Sequence, residues 1–399
     1  MACLHAGLLG IVFLGLAWPS DNSLVMAGWT LITAYALFCW SSVFHETAHH
    51  TLNGPKEENI KLGRVLGTLV LVPYTAYRET HIRHHAYMNT PDDWELWPYC
   101  DPKCSVAFRR CFVWFDLLLG MFAAPFIYGR IYFSKHSPVK TPGIRRTIRN
   151  EYLVIIVAWT AVFAALTVNN AWPMYVRAML IPTLLAGFVQ TGRKLTEHLG
   201  MTSYDPLLGT RTVVGKNWLT RLGSFVNFEI FVHGIHHRHP KLHHDSLREK
   251  MEEYVENNRD IAYPVYDSYW QATREMLPYL ITNPGVGMNA GAAAPVRNVT
   301  VQDFVADTAA IIAADERLKL AATAAPASRR SVKKLQVLES RELTRTEKAL
   351  LGDQLLENFE HCARFSTEKS TLFFAKVYDG EALLGVAPVI RIFKHKSTD

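Results

Sequence analysis

Residues 23–44 read SLVMAGWTLITAYALFCWSSVF, and residues 45–50 continue as HETAHH. The first stretch carries no charged side chain and is long enough to cross a hydrocarbon layer about 30 Å thick as a helix. Three imidazoles then stand at its mouth. Membrane insertion does not call for them, so their placement asks for a chemical reason.

Three further apolar stretches share this character: residues 5–18, 152–168 and 172–190, the last interrupted only by Arg177. The mean hydropathy of +0.03 averages them with a polar remainder and hides them. Residues 5–18 have no basic segment before them and no small-residue cleavage site after them, so they read as a membrane helix and not a signal peptide. Four crossings are expected. The turns WPSDNS and TVNNAWPMY contain no Lys or Arg, whereas Lys56, Lys61, Arg64, Arg78, Arg83, Arg109, Arg110, Arg130, Lys135, Lys140, Arg145, Arg146 and Arg149 crowd the long middle loop. Basic residues favour the cytoplasmic side, which places that loop and both chain ends there. Asp116, Pro125 and Arg130 break up the apolar stretch 105–133. It reads as helices lying along the membrane, because one more crossing would move the later histidines to the other side.

Histidine recurs in three clusters on that side: HETAHH, then HIRHH at 81–85, then HGIHH at 233–237, with a single His198 in TEHLG. The spacing i, i+3, i+4 brings such side chains together on a helix. Imidazole suits iron, copper, zinc and nickel, and nine or ten of these ligands exceed what one ion can take, which implies two metals. A closed structural zinc site usually recruits cysteine. The six cysteines, Cys3, Cys39, Cys100, Cys104, Cys111 and Cys362, lie outside the clusters, and Cys100 with Cys104 would make only half a site. Glu46, Glu79, Asp93 and Glu197 stand beside the histidines and are expected to accept their outward N–H groups. A nonenzymatic zinc-binding membrane protein is the alternative of a different class. Transport would require ionisable groups at mid-membrane, and the apolar stretches are nearly free of them.

In this order and around two pairs of crossings, HETAHH, HIRHH and HGIHH resemble the three histidine boxes of the integral-membrane fatty acid desaturase family, which also includes hydroxylases and carotenoid-modifying enzymes. HHAYMNTPDDWE and TEHLG resemble the stretches that members carry after the second box and before the third. The resemblance covers about residues 5–250. It implies a mainly α, integral-membrane fold with four transmembrane helices under a cytoplasmic, histidine-rich helical cap. It also implies two iron ions, use of O2, a lipid or acyl-chain substrate, and electrons from a separate ferredoxin or cytochrome b5 with its reductase. Nucleic acid is not an expected partner. The metal ligands it implies are His45, His49, His50, His81, His84, His85, His198, His233, His236 and His237, with no catalytic residue beyond them. Asn227 matches an asparagine that reaches a metal through water in some relatives, while His239, His243 and His244 fall on the surface. The expected reaction is insertion of a double bond; hydroxylation or ketolation of a lipid or carotenoid on the same scaffold is the alternative.

Residues 1–288 form the expected membrane domain, with an amphipathic helix over SLREKMEEYVENNRD near its end. Residues 289–330 are Ala-rich and read as a linker with one helix, over VQDFVADTAAIIAADERLKL. From 331 to 399 a strand over KLQVLES, a helix over TRTEKALLGDQLLENFEHC and a hairpin through Asp379–Gly380 suggest a small cytoplasmic α+β module. That order resembles the opening of an acyltransferase of the GNAT type, without its glycine-rich acyl-CoA loop.

Overall fold

The computed structural model describes residues 2–17, 22–295, 336–340, 370–379 and 382–392. It divides into two compact units, Met1–Ala322 and Thr323–Asp399. The first is helical: α1 (Ala2–Ala17), α2 (Ser23–His49), α3 (Lys56–Leu69), α4 (Tyr74–Tyr87), α5 (Val106–Leu118), α6 (Gly120–Phe133), α7 (Pro142–Val168) and α8 (Trp172–His198). After a strand β1 (Thr212–Val213) come α9 (Trp218–Val226), α10 (His233–Arg238) and α11 (Leu247–Asn257). Strand β2 (Val265–Tyr266) and α12 (Tyr269–Ile281) follow.

Among the described residues, α2, α7 and α8 are long and apolar enough to cross a membrane. The shorter α1 spans about 24 Å at 1.5 Å per residue, less than the usual hydrocarbon thickness. Helices α5 and α6 would together reach the same apolar length but bend by 119° between them. Along α7, Val154, Ile156, Val157 and Phe163 are all exposed. A soluble protein would bury such a surface, and lipid accepts it. Several apolar helices of this kind mark a membrane protein.

Local chemistry sets the helix limits. The Asn22 side chain caps α2 by accepting from the Leu24 and Val25 N–H groups at 2.9 and 3.3 Å, and α2 ends where His50 turns left-handed at φ 58°. In α8, Pro182 has no N–H for the carbonyl of Ala178, and a wider π-turn over Val176–Leu180 occupies that stretch. Gly120 begins α6 against α8, where an added Cβ would stand 2.3 Å from Thr191 Oγ1 and 2.9 Å from the Gly187 carbonyl oxygen. Only glycine permits that approach.

Strands β1 and β2 pair in parallel, Thr212 with Val265 and Val213 with Tyr266, tying the segment before the third histidine box to the one before α12. The Arg211 N–H donates to the Glu197 carbonyl at 2.8 Å, which fastens the same segment to the end of α8. The chain remains hydrogen-bonded across residue 288. Gly200 N–H donates to Gly285 O at 2.8 Å, Gly287 N–H to Met201 O at 2.8 Å and Ala292 N–H to Gly287 O at 3.0 Å. This strap presses on the loop that follows His198.

The second unit contains an antiparallel sheet in the order β3 (Gln336–Ser340), β4 (Ser370–Asp379), β5 (Ala382–Ile392). Its register pairs Val337 with Val377 and Phe374 with Pro388. The helices expected over 301–320 and 344–362 lie outside the described residues.

Candidate metal centre

Helix geometry distributes the histidines. At 100° per residue, i and i+4 differ by about 40° and i+3 lies about 60° to the other side. An H-x-x-H-H box can therefore serve two centres at once. In α4, His81 and His85 turn to one cluster and His84 to another; in α10, His233 and His237 turn to the second cluster and His236 to the first. The sequence reading put each trio on one face, and the structure splits both trios.

The first cluster comprises His45, His49, His81, His85 and His236, whose ligand nitrogens all lie within 4.8 Å of one another. The His81 Nε2 is 2.9 Å from His49 Nε2 and 3.2 Å from His85 Nε2. In the second, His84, His198 and His237 converge within the same limit, and His233 Nε2 is 2.9 Å from His198 Nε2 and 3.0 Å from His237 Nε2. The clusters adjoin through His85 and His237, whose rings stack with centroids 4.1 Å apart. All nine imidazoles are buried.

His50 is apart from both. One residue past His49, it is rotated about 100° from it and caps α2. Its Nε2 lies 3.3 Å from the Tyr74 hydroxyl, so the structure does not bring it to the other nine. Asn227 is also elsewhere: its Oδ1 accepts from Ser42 Oγ at 2.7 Å and its amide donates to Gly223 O at 2.9 Å. His239 bonds the Tyr254 hydroxyl at 3.1 Å and His243 is partly exposed, but His244, read from sequence as a surface residue, is buried edge-on to Phe228. The Cys100 thiol donates to the Asp93 carbonyl at 3.0 Å, and no cysteine belongs to a metal-sized cluster among the described residues.

Carboxylates fix the rings from behind. His45 Nδ1 meets Glu46 Oε1 at 3.0 Å, His84 Nδ1 meets Asp93 Oδ2 at 2.8 Å, and His81 Nδ1 meets Glu95 Oε2 at 2.8 Å. An N–H donated there leaves the Nε2 lone pair facing the cluster. The sequence reading missed Glu95 and assigned Glu79 in its place. Glu79 instead pairs with Arg83 at 2.6 Å and Arg78 at 3.5 Å, a partnership the i, i+4 spacing to Arg83 already offered. Glu95 sits in an aperiodic loop, so only its company of Asp92 and Asp93 hinted at a role. Its other oxygen accepts from Tyr128 at 2.9 Å.

Burial pushes His85, His233, His236 and His237 well below the ordinary imidazole range, and the neighbouring imidazoles push the same way. For His84, burial acts against protonation, but the Asp93 charge and hydrogen bond outweigh it and raise the ring. Burial alone would raise Glu95; His81 holds it below the usual carboxylate range.

Such a set of inward-facing imidazole nitrogens fits a cation. Two nitrogens bound about 2.1 Å from one ion at right angles stand about 3.0 Å apart, close to the separations found. His45 Nε2 and His236 Nε2 are buried with no hydrogen-bond partner, as metal-facing nitrogens would be. Gly234 lets α10 seat this way, since a Cβ there would meet Thr212 Oγ1 at 2.8 Å and Thr210 Oγ1 at 3.2 Å.

Residues 22–271 match the sequence profile of the fatty acid desaturases. The chain belongs to the fatty acid desaturase family. It is similar to a fatty acid desaturase of Bacillus subtilis (strain 168), with 26% identity over 261 residues, 60% of this chain and 74% of the relative. A Delta(12) fatty acid desaturase of Calendula officinalis is 23% identical over 276 residues, 60% of this chain and 72% of the relative. An endoplasmic reticulum omega-3 fatty acid desaturase of Vigna radiata var. radiata is 24% identical over 260 residues, 59% of this chain and 63% of the relative. For this fatty acid desaturase family member, an oxidoreductase acting on lipid and a metal site in the buried histidines follow.

Proposed function

We propose that the chain is an O2-dependent desaturase that inserts a double bond into a membrane-borne acyl chain. The reading is carried by nine buried imidazoles that converge as a group of five and a group of four, fed by the ends of apolar helices α2 and α8. The names of the relatives support desaturation over hydroxylation.

Two iron ions are the proposed occupants. The group of five would hold one through His45, His49, His81, His85 and His236, and the other would rest on His84, His198, His233 and His237. When bound, the pair supplies the oxidising power that breaks unactivated C–H bonds with O2. The protein contributes the rest. Glu46, Asp93 and Glu95 hold the Nδ1 protons of His45, His84 and His81, which keeps those rings in one tautomer and one orientation. Full burial of the clusters keeps bulk water from the reacting atoms. The exposed apolar surfaces of α2, α7 and α8 would share a hydrocarbon layer with an acyl chain, which supports its approach to the helix mouths. The overall balance removes two hydrogens from the chain, takes two electrons and two protons from outside, and leaves two waters from O2. No electron-carrier motif is present in the sequence, so a separate donor such as a ferredoxin or cytochrome b5 with its reductase is proposed.

Expression in cells that supply such a donor should yield lipids two hydrogens lighter by mass spectrometry. Gain of one oxygen instead would make the chain a hydroxylase, and no O2-dependent change with an active donor would defeat the reading.

The proposed orientation has four crossings, α1 included, with the histidines and both termini cytoplasmic. Cysteine introduced at Ser246 should then react with impermeant reagents from the cytoplasmic side only. Labelling from outside would reverse the assignment.

A further inference from the structure

Glu197 does not behave like the other carboxylates of the centre. Glu46, Asp93 and Glu95 each meet a histidine at Nδ1, the outward nitrogen. Glu197 meets His233 at Nε2, with Oε2 3.4 Å away. That nitrogen is the one facing His198 at 2.9 Å and His237 at 3.0 Å, while His233 Nδ1 is buried with no partner. Glu197, His198 and His233 converge within 4.8 Å, and Glu197 is 1% exposed. Its carboxylate therefore looks into the second cluster and does not support a ring from behind.

Among the described residues, Arg193 holds the other side of Glu197. Arg193, one helical turn back on α8, places Nη1 3.2 Å from both carboxylate oxygens. Arg193 is itself fixed: its Nε donates to Gln190 Oε1 at 3.4 Å, and its carbonyl accepts from the Tyr269 hydroxyl at 3.1 Å. These contacts leave carboxylate lone pairs available toward the histidines. The first cluster has five imidazoles and the second has four, so one oxygen ligand brings both to five.

We infer that Glu197 is a ligand of the second metal, with Arg193 as the residue that positions it. The inference rests on the two-metal reading above. The two sites then differ in charge, five neutral imidazoles at one and four plus a carboxylate at the other. An anionic ligand favours the more oxidised ion, so the second site should have the lower potential of the two.

Glu197→Gln tests this, because the amide oxygen can still accept from Arg193 while the charge is lost. Iron content and Mössbauer spectra would be read on the purified full-length protein, with circular dichroism to show that the helices remain. Wild type should hold about two irons in two inequivalent environments. In the variant one environment should shift and release its iron with more than about 100-fold weaker affinity, beyond the roughly 10–100-fold that loss of a supporting partner alone costs. Glu197→Ala with added formate is the companion test, since formate refilling the space should restore iron to that site alone. Two unchanged spectral environments in Glu197→Gln, or equal loss from both sites, would overturn the assignment. Wild type holding fewer than two irons would defeat the two-metal reading itself, a result distinguishable from failure at Glu197 alone.

Discussion

Purified His198→Ala should lose turnover by more than about 100-fold, the upper range for removing a group that only supports a ligand. His198 comes from the end of α8, away from the three boxes, and its Nε2 stands 2.9 Å from that of His233. Its removal deletes one of the four imidazoles proposed for the second metal and opens that position to water. The first cluster contains none of its atoms, so some metal and the helical fold should persist. His243→Ala is the matched control. It lies in a histidine-rich stretch but is partly exposed beside Asp245, and surface changes of that kind stay within about 0.5 kcal/mol. Activity assays with metal analysis on both variants decide the matter. Near-normal turnover in His198→Ala, or an equally inactive His243→Ala, would remove His198 from the ligand set.

Glu95→Ala should cost about 10–100-fold in metal affinity or turnover, although Glu95 touches no metal in this account. Its two oxygens take the N–H of His81 Nδ1 at 2.8 Å and the hydroxyl of Tyr128 at 2.9 Å. His81 is buried and Tyr128 partly buried, and a buried donor left without an acceptor costs about 1–3 kcal/mol. Without the carboxylate, His81 is free to change tautomer and present a proton where the first cluster needs a lone pair. Glu95→Gln should be milder, because its amide oxygen still accepts from one of the two donors. Glu79→Gln is the comparison. Glu79 pairs with Arg83 and Arg78 and meets no histidine among the described residues, so its loss should lower stability more than metal affinity. Thermal melts and iron titrations of the three variants separate the two effects. Glu95→Ala with unaltered iron affinity would show that His81 is oriented by something else.

These contrasts show how far the sequence could be read. The long apolar helices were legible because residues 23–44 and 152–168 are apolar without interruption, and the histidine boxes because their spacing matches one helical turn. The division of each H-x-x-H-H box between two centres was available from the same arithmetic but depends on what stands on either side. Spacing alone already set His50 about 100° to the side of His49. Its placement apart from the other nine accompanies the left-handed turn that ends α2 there. Glu95 and Asn227 depended on contacts between distant segments, Glu95 with Tyr128 across 33 positions and Asn227 with Ser42 across 185. No local pattern records such contacts. Glu197 stood beside His198 in the sequence and looked like one more ring-supporting carboxylate. Only the identity of the nitrogen it faces sets it apart.

The central claim is that nine imidazoles form two adjoining metal sites on one chain. Iron quantified per chain, on protein purified under conditions that retain metal, tests this most directly when wild type is set beside His49→Ala and His198→Ala. His49 belongs to the group of five and His198 to the group of four. The account predicts about two irons in wild type and a loss of about one in each variant, from different sites. A single iron in wild type, or two ions lost together on either substitution, would contradict it.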